Sequence, residues 1–128
     1  MTNSELTRAF LRAFETRDGS NLSYYATDAT FHELPNRLVP QGKRYSLSDL
    51  NAAAERGRQA VSEERYEIVR LIADGDEVAL EVVWTARLQV PLGTLQAGEV
   101  MRAHLGMFLT WREGKIVSQR NYDCYEPF

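Results

Sequence analysis

The sequence is short of the groups that build metal and covalent chemistry. It holds one cysteine, Cys124, and two histidines, His32 and His104, in 128 residues. A single cysteine rules out an internal disulfide framework and fits a reducing compartment. Two isolated histidines provide no metal-ligand spacing. The glycines are scattered, so there is no phosphate-cradling loop, and no serine sits in a nucleophile-elbow motif. No apolar run approaches the ~18 residues of a membrane span. No basic stretch leads an apolar one near Met1, so no secretory signal is expected. The net charge of −3, with no clustered basic face, argues against nucleic-acid or anionic-membrane partners. These absences predict a cytoplasmic domain without metal, cofactor, nucleic-acid or membrane partner.

What is present is ordinary globular material, 44% hydrophobic and 26% charged, in a length that supports one core and one domain over residues 1–128. Apolar residues recur at every second position from Met101 through Ala103, Leu105, Met107 and Leu109 to Trp111. Arg112-Glu113-Gly114-Lys115 interrupts them, and a second alternation runs from Ile116 to Tyr125. Period two over this length predicts a hairpin with one buried face, and Gly114 supplies the positive φ of the turn. A thirteen-residue strand would span roughly 40 Å, about twice the usual strand, and in a small domain it must bend around something.

Upstream, Thr2-Asn3-Ser4-Glu5 has the spacing of a capping box, followed by Leu6, Phe10, Ala13 and Phe14 on one helical face up to Asp18-Gly19. A shorter amphipathic piece groups Leu22, Tyr25 and Ala26. Asp28 to Pro35 reads as a short strand, and Asn36 to Arg44 as a loop. Ser46 and Asp49 cap a third helix from Leu47 to about Ala60. Tyr66–Ile72 and Glu77–Val90 are strands around an Asp74-Gly75-Asp76 turn. Helices ahead of an antiparallel meander imply α+β. The expected architecture is a cone-shaped, half-open barrel, with three N-terminal helices packed on a strongly curved, mostly antiparallel sheet.

Ala73-Asp74-Gly75-Asp76-Glu77-Val78-Ala79 and the stretch from Arg112 to Asp123 give a pattern that resembles the SnoaL-like branch of the nuclear transport factor 2-like superfamily. Ketosteroid isomerases, polyketide cyclases and limonene epoxide hydrolase belong to that superfamily. The resemblance covers nearly the whole chain and implies the cone fold; one fold hosts many chemistries. It implies that Glu33, after Asp28-Ala29-Thr30, stands where the isomerase keeps its general base. It places Asp123 where polyketide cyclases keep an acid/base aspartate. Phe10 stands near the isomerase tyrosine, and Gly106 or Met107 near its oxyanion-hole aspartate, so neither donor is present. Arg120-Asn121 stands where the epoxide hydrolase has arginine followed by aspartate.

Asp123 and Asn121 share strand parity with Val117 and Gln119, a face that the resemblance turns toward a pocket. A carboxylate on an apolar wall has its pKa raised toward the range useful for proton transfer, and Glu33 would face it as partner. A structural ion pair of Asp123 with Arg120 or Arg102 is the other reading. His104 is the third acid/base candidate. Strict alternation sets it with Arg102, Gly106 and Phe108 on the opposite face, and only a bulge at Gly106 would bring it into the pocket. Ligand-contacting candidates are Asn121, Trp84, Phe10, Phe14, Phe31, Tyr25 and Met107, whose default role is packing.

Two functions stay open. One is a cofactor-independent enzyme performing isomerisation, cyclisation or hydration on a small apolar carbonyl compound. The other is a non-catalytic module of the same fold that binds a small molecule or dimerises. An open cavity with converging carboxylates would favour the first. The resemblance also implies a homodimer through the outer sheet face, where Val83 and Phe108 lie among polar neighbours.

Overall fold

The computed structural model describes all residues from Met1 to Phe128. Its elements are helix α1 (Asn3–Thr16), a 3-10 turn (Ser20–Tyr24), β1 (Tyr25–Glu33), β2 (Lys43–Tyr45), α2 (Leu47–Ala60), β3 (Val61–Asp74), β4 (Glu77–Leu88), β5 (Val100–Arg112) and β6 (Lys115–Tyr125). Both helices start on capping boxes, Thr2 with Glu5 and Ser46 with Asp49. In each, hydroxyl and carboxylate answer backbone N–H groups that the first turn leaves free.

The strands form one six-stranded sheet in the order β2-β1-β6-β5-β4-β3. Every pairing is antiparallel except that of β1 with β6. The α+β class therefore stands, with two corrections. The three expected helices are two, because the middle piece is a five-residue 3-10 turn set off by Gly19 at φ 83°. Tyr25 and Ala26 have left it for β1, where Tyr25 pairs with Ile116. The expected half-open barrel is, in its strand pairing, an open mixed sheet with β2 and β3 as unpaired edges.

Two boundaries also moved. Lys43 and Arg44, expected at the end of a loop, instead form with Tyr45 a strand that returns antiparallel to β1, with Tyr45 opposite Phe31. Gly42 makes this return possible: its φ is 69°, and a Cβ there would lie 2.8 Å from the Glu33 carbonyl oxygen. Strand β3 begins at Val61 directly after α2, without a linker, and runs to Asp74.

The long hairpin follows its alternation closely. Met101, Ala103, Leu105, Met107, Leu109 and Trp111 are all buried, as are Val78, Leu80, Val82, Ala86 and Leu88 on β4. Each large apolar side chain buried this way contributes about 1.5–3 kcal/mol. Glu113 and Gly114 both take positive φ, 51° and 76°, in the connecting turn, the backbone twist that two-residue hairpins favour.

Helix α1 packs its Phe10 and Leu11 against this inner face. Phe10 stands edge-on to Phe14, Tyr24, Tyr25 and Trp111 at once. Helix α2 behaves differently. Leu50 is its one buried residue, and Ala53, Ala54 and Gly57 present little bulk. Small residues under a helix leave volume unfilled, and here that volume is a cavity. No helix is long and apolar enough to cross a membrane.

Candidate functional site

The cavity lies between α2 and the inner face of the sheet and has a volume of about 340 Å³. Its wall is assembled by strand register. In β6, Gln119, Asn121 and Asp123 alternate onto the inner face, opposite Leu109, Met107 and Leu105 of β5. The parallel β1–β6 pairing then sets Phe31 beside Gln119 and Glu33 beside Asn121. Both expected carboxylates, Glu33 and Asp123, line the cavity with Asn121.

The two carboxylates live in different surroundings. Glu33 is held at both oxygens: Oε1 accepts from the Tyr45 hydroxyl at 2.7 Å and Oε2 from the Asn36 amide at 2.8 Å. Those donors fix its position. Oδ1 of Asp123 is buried and meets no hydrogen-bond partner, the only side-chain atom of the molecule in that condition. Burial, and then the charge of Glu33, push the Asp123 carboxyl up to about 6, while the Asn121 side chain pulls it down. A buried polar atom without a partner costs about 1–3 kcal/mol, and such groups in a cleft mark sites that need them. Neither Arg102 nor Arg120 pairs with Asp123; the Arg120 guanidinium bonds to the Tyr122 hydroxyl on the exposed side.

A chain of neutral groups runs up to this carboxylate. The buried Tyr25 hydroxyl donates to Gln119 Oε1 at 2.5 Å, and Gln119 Nε2 donates to Asn121 Oδ1 at 2.9 Å. Tyr125 lines the same wall, and burial, then Asp123 and Glu33, raise its pKa. Its hydroxyl is therefore a proton donor at neutral pH.

The opposite wall is polar but internally answered. Arg17, the left-handed residue that ends α1, bonds Glu64 at 2.8 Å and the Val61 carbonyl at 2.6 Å. Glu64 also accepts from the Trp84 indole at 3.1 Å. This pair ties the end of α1 to the start of β3.

Of the expected contact residues, Asn121, Trp84, Phe14, Phe31, Tyr25 and Met107 line the cavity. Phe10 does not: it is fully buried among aromatic rings on the closed side of the core. His104 also stands apart from the carboxylates. No bulge forms at Gly106, since β4 and β5 pair without a break from Glu77↔Thr110 to Arg87↔Val100. Alternation therefore keeps His104 on the outer face, where its Nε2 meets Glu126 at 2.8 Å. Tyr45, Asn36 and Gln119 belong to the site's polar framework and were not singled out from the sequence. Gln119 was legible from its parity with Asp123; Tyr45 needed the fold-back over Gly42, whereas Asn36 reaches Glu33 within a local turn of three residues. No three His, Cys, Asp or Glu side chains gather in a way that could hold a metal ion.

Comparisons with known proteins agree with this arrangement at the level of fold. AclR, a candidate hydroxylase from Streptomyces galilaeus, superposes with a TM-score of 0.80 at 21% identity, over 97% of this chain and 79% of that one. IdmH, a candidate polyketide cyclase from Streptomyces antibioticus, gives 0.80 at 17% identity, over 96% and 92%. A candidate polyketide cyclase from Xanthomonas campestris pv. campestris gives 0.77 at 23%, over 93% and 87%. Among curated protein sequences, none matches the chain. The family model of the SnoaL-like domain matches residues 7–119. The chain belongs to the SnoaL-like domain family.

Proposed function

We propose that this protein is a cofactor-independent acid/base enzyme acting on a small, largely apolar carbonyl compound held in the cavity. The observation that carries this reading is the buried, unpartnered Oδ1 of Asp123 in the cavity wall. A carboxyl with a pKa near 6 is mostly ionised at neutral pH and still basic enough to take a proton from carbon next to a carbonyl. Asp123 removes that proton and returns it at a second position, which is isomerisation; attack of the resulting enolate carbon on a second carbonyl, whose oxygen then takes up the proton, gives cyclisation; on a conjugated substrate Asp123 instead takes a proton from water as it adds to the β-carbon and returns one to the α-carbon, which is hydration. Tyr125 O–H is the donor for the developing oxyanion. Glu33, held by Tyr45 and Asn36, acts as a fixed negative charge that keeps Asp123 basic. Phe31, Trp84 and Met107 supply the apolar contacts that bind the rest of the substrate.

The test needs no knowledge of the natural substrate. Small β,γ-unsaturated ketones and 1,3-dicarbonyl compounds are incubated with the protein in D2O, and deuterium uptake next to the carbonyl is followed by NMR. Exchange is expected with the native chain and to fall by roughly 10²–10⁴-fold in Asp123→Asn. Equal exchange in both would end the proposed mechanism. Binding without exchange would favour the second reading, a small-molecule-binding module, which is supported by the fully engaged oxygens of Glu33.

We further expect a homodimer through the outer sheet face. Phe108 and Tyr122 are 49% and 42% exposed there, their rings packed edge-on at 5.8 Å, and the partly exposed Val83 lies further along, opposite His104. Apolar surface of this kind on a sheet suits a second copy of the chain.

A further inference from the structure

We propose that Asn21 is a substrate-binding residue whose side-chain amide meets a hydroxyl group of the ligand held in the cavity. The inference rests on the acid/base reading above and deepens it, since it makes the substrate a hydroxylated carbonyl compound. Four polar residues of the chain are buried: Thr7, Asn21, Gln119 and Asn121. Three of them are engaged inside the protein, Thr7 with the Trp111 indole and Gln119 with Asn121. Asn21 is only 7% exposed and makes no side-chain hydrogen bond. Its amide is nevertheless not sealed in the core, because Oδ1 of Asp123 is the only side-chain polar atom that is both enclosed and unpartnered. The amide therefore borders open space, and the space against Asn21 is the cavity.

Asparagine in a turn commonly bonds its own backbone, and that role is filled here by a neighbour. Asp18 Oδ1 accepts from the Ser20 N–H at 3.0 Å and from the Thr16 hydroxyl at 2.8 Å. The left-handed Gly19 opens the turn, and the Leu22 N–H closes it on the Gly19 carbonyl at 3.0 Å. On the far side Lys115 Nζ donates to the Ser23 carbonyl at 2.6 Å, which ties the turn to β6. The backbone around Asn21 is thus fixed from both directions without its side chain. A rigid turn that presents an unused amide to a cavity is a preorganised binding group.

The charges on this side of the cavity select a neutral group. Arg17 and Arg58 both line it, and a Cβ at Gly19 would lie 3.9 Å from Arg58 Nη1. Arg17 is paired with Glu64 at 2.8 Å and Arg58 with Glu55 at 2.6 Å, so neither is an uncompensated charge for an anionic ligand. An amide has an N–H end and a C=O end. A hydroxyl can meet either, whereas a ketone meets only the N–H. Asn21 belongs to the turn between α1 and β1, and Asp123 to β6, so the hydroxyl and the reacting carbonyl are held by different elements of the wall. Two such anchors fix which carbon of the substrate lies at Asp123.

The experiment measures dissociation constants by calorimetry for 2-tetralone and its 5-, 6- and 7-hydroxy derivatives, bicyclic ketones of the size class such a cavity takes. The native chain is compared with Asn21→Leu, which is close in volume, and with Asn21→Ala. At least one hydroxylated ketone is expected to bind the native chain about tenfold tighter than 2-tetralone, the effect of one hydrogen bond. In both variants that ratio is expected to fall to about one. No binding or no preference in the native chain, a preference that survives in either folded variant, or failure of both variants to fold would overturn the proposal. A purely structural Asn21 would show as lowered melting temperatures in both variants with the preference intact. The acid/base reading is judged apart, by deuterium exchange into the same ketones in the native chain and Asp123→Asn. Equal exchange there ends that reading, while the hydroxyl preference and its loss still decide the role of Asn21.

Discussion

The two ends of the inner sheet face are built from the same strands and put to opposite uses. At one end, Phe10, Leu109, Trp111 and Ile116 are fully buried. The polar atoms there are met: Trp111 donates its indole N–H to Thr7 at 2.9 Å, and Thr7 donates to the Asn3 carbonyl at 2.8 Å. At the other end, two or three strand positions along, the same faces border an unfilled cavity and one carboxylate oxygen with no partner. The first end is dense because helix α1 brings phenylalanine and leucine. The second is open because helix α2 brings alanine and glycine. The comparison teaches that the packed core and the candidate site of this domain are separated along the strands, over a distance of a few residues.

Breaking the closed end should show the separation most strongly. Phe10→Ala removes a ring at the centre of the aromatic cluster and should cost about 3–5 kcal/mol in chemical denaturation, with the Asp123 titration in the folded variant unchanged. A moved titration would mean that the two ends are coupled.

At the open end the sign reverses. The folded Asp123 holds its proton up to about 6, whereas an unfolded aspartate releases it near ~3.9. Between those values the folded chain binds more protons, so this group's contribution is fully present at low pH and is lost as pH rises through 6. Asp123→Asn should therefore be more stable than the native chain above pH 6, by about 3 kcal/mol, and the difference should vanish below pH 4. Denaturation midpoints measured across pH 4–8 would check it; a difference independent of pH would contradict the raised pKa. The same substitution is expected to lower proton exchange by roughly 10²–10⁴-fold, so stability and activity would trade against each other at one residue.

A third change sharpens the comparison within the closed end. Thr7→Val leaves the Trp111 indole N–H buried and unpaired, for about 1–3 kcal/mol. The smallest effect is expected from Glu33→Gln. Removing that charge should lower the Asp123 pKa while leaving it above the ordinary aspartate value, because burial is the larger cause. A titration that fell fully to the ordinary range would show that charge and not burial sets it.

Local chemistry made much of this legible in advance. The capping residues Thr2 and Ser46 mark both helix starts, Gly114 marks the hairpin turn, and the alternation from Met101 to Trp111 marks the buried face. Parity likewise set Asn121 and Asp123 on one side of β6, and kept His104 on the other once no bulge intervened. The 3-10 turn at Ser20–Tyr24 and the short strand Lys43–Tyr45 were missed, since each depends on a distant partner: Ile116 draws Tyr25 into β1, and Phe31 pairs with Tyr45.

By itself, then, the sequence determined the periods, the turns and the faces of the long strands. It did so because those properties arise from neighbours within a few positions. Only the tertiary structure decided which acid is free. Tyr45 reaches Glu33 through the fold-back over Gly42, and Tyr25 reaches Gln119 across 94 positions. No local rule assigns a hydrogen-bond partner over such separations, and none could have marked Asp123 Oδ1 as the buried oxygen left without one.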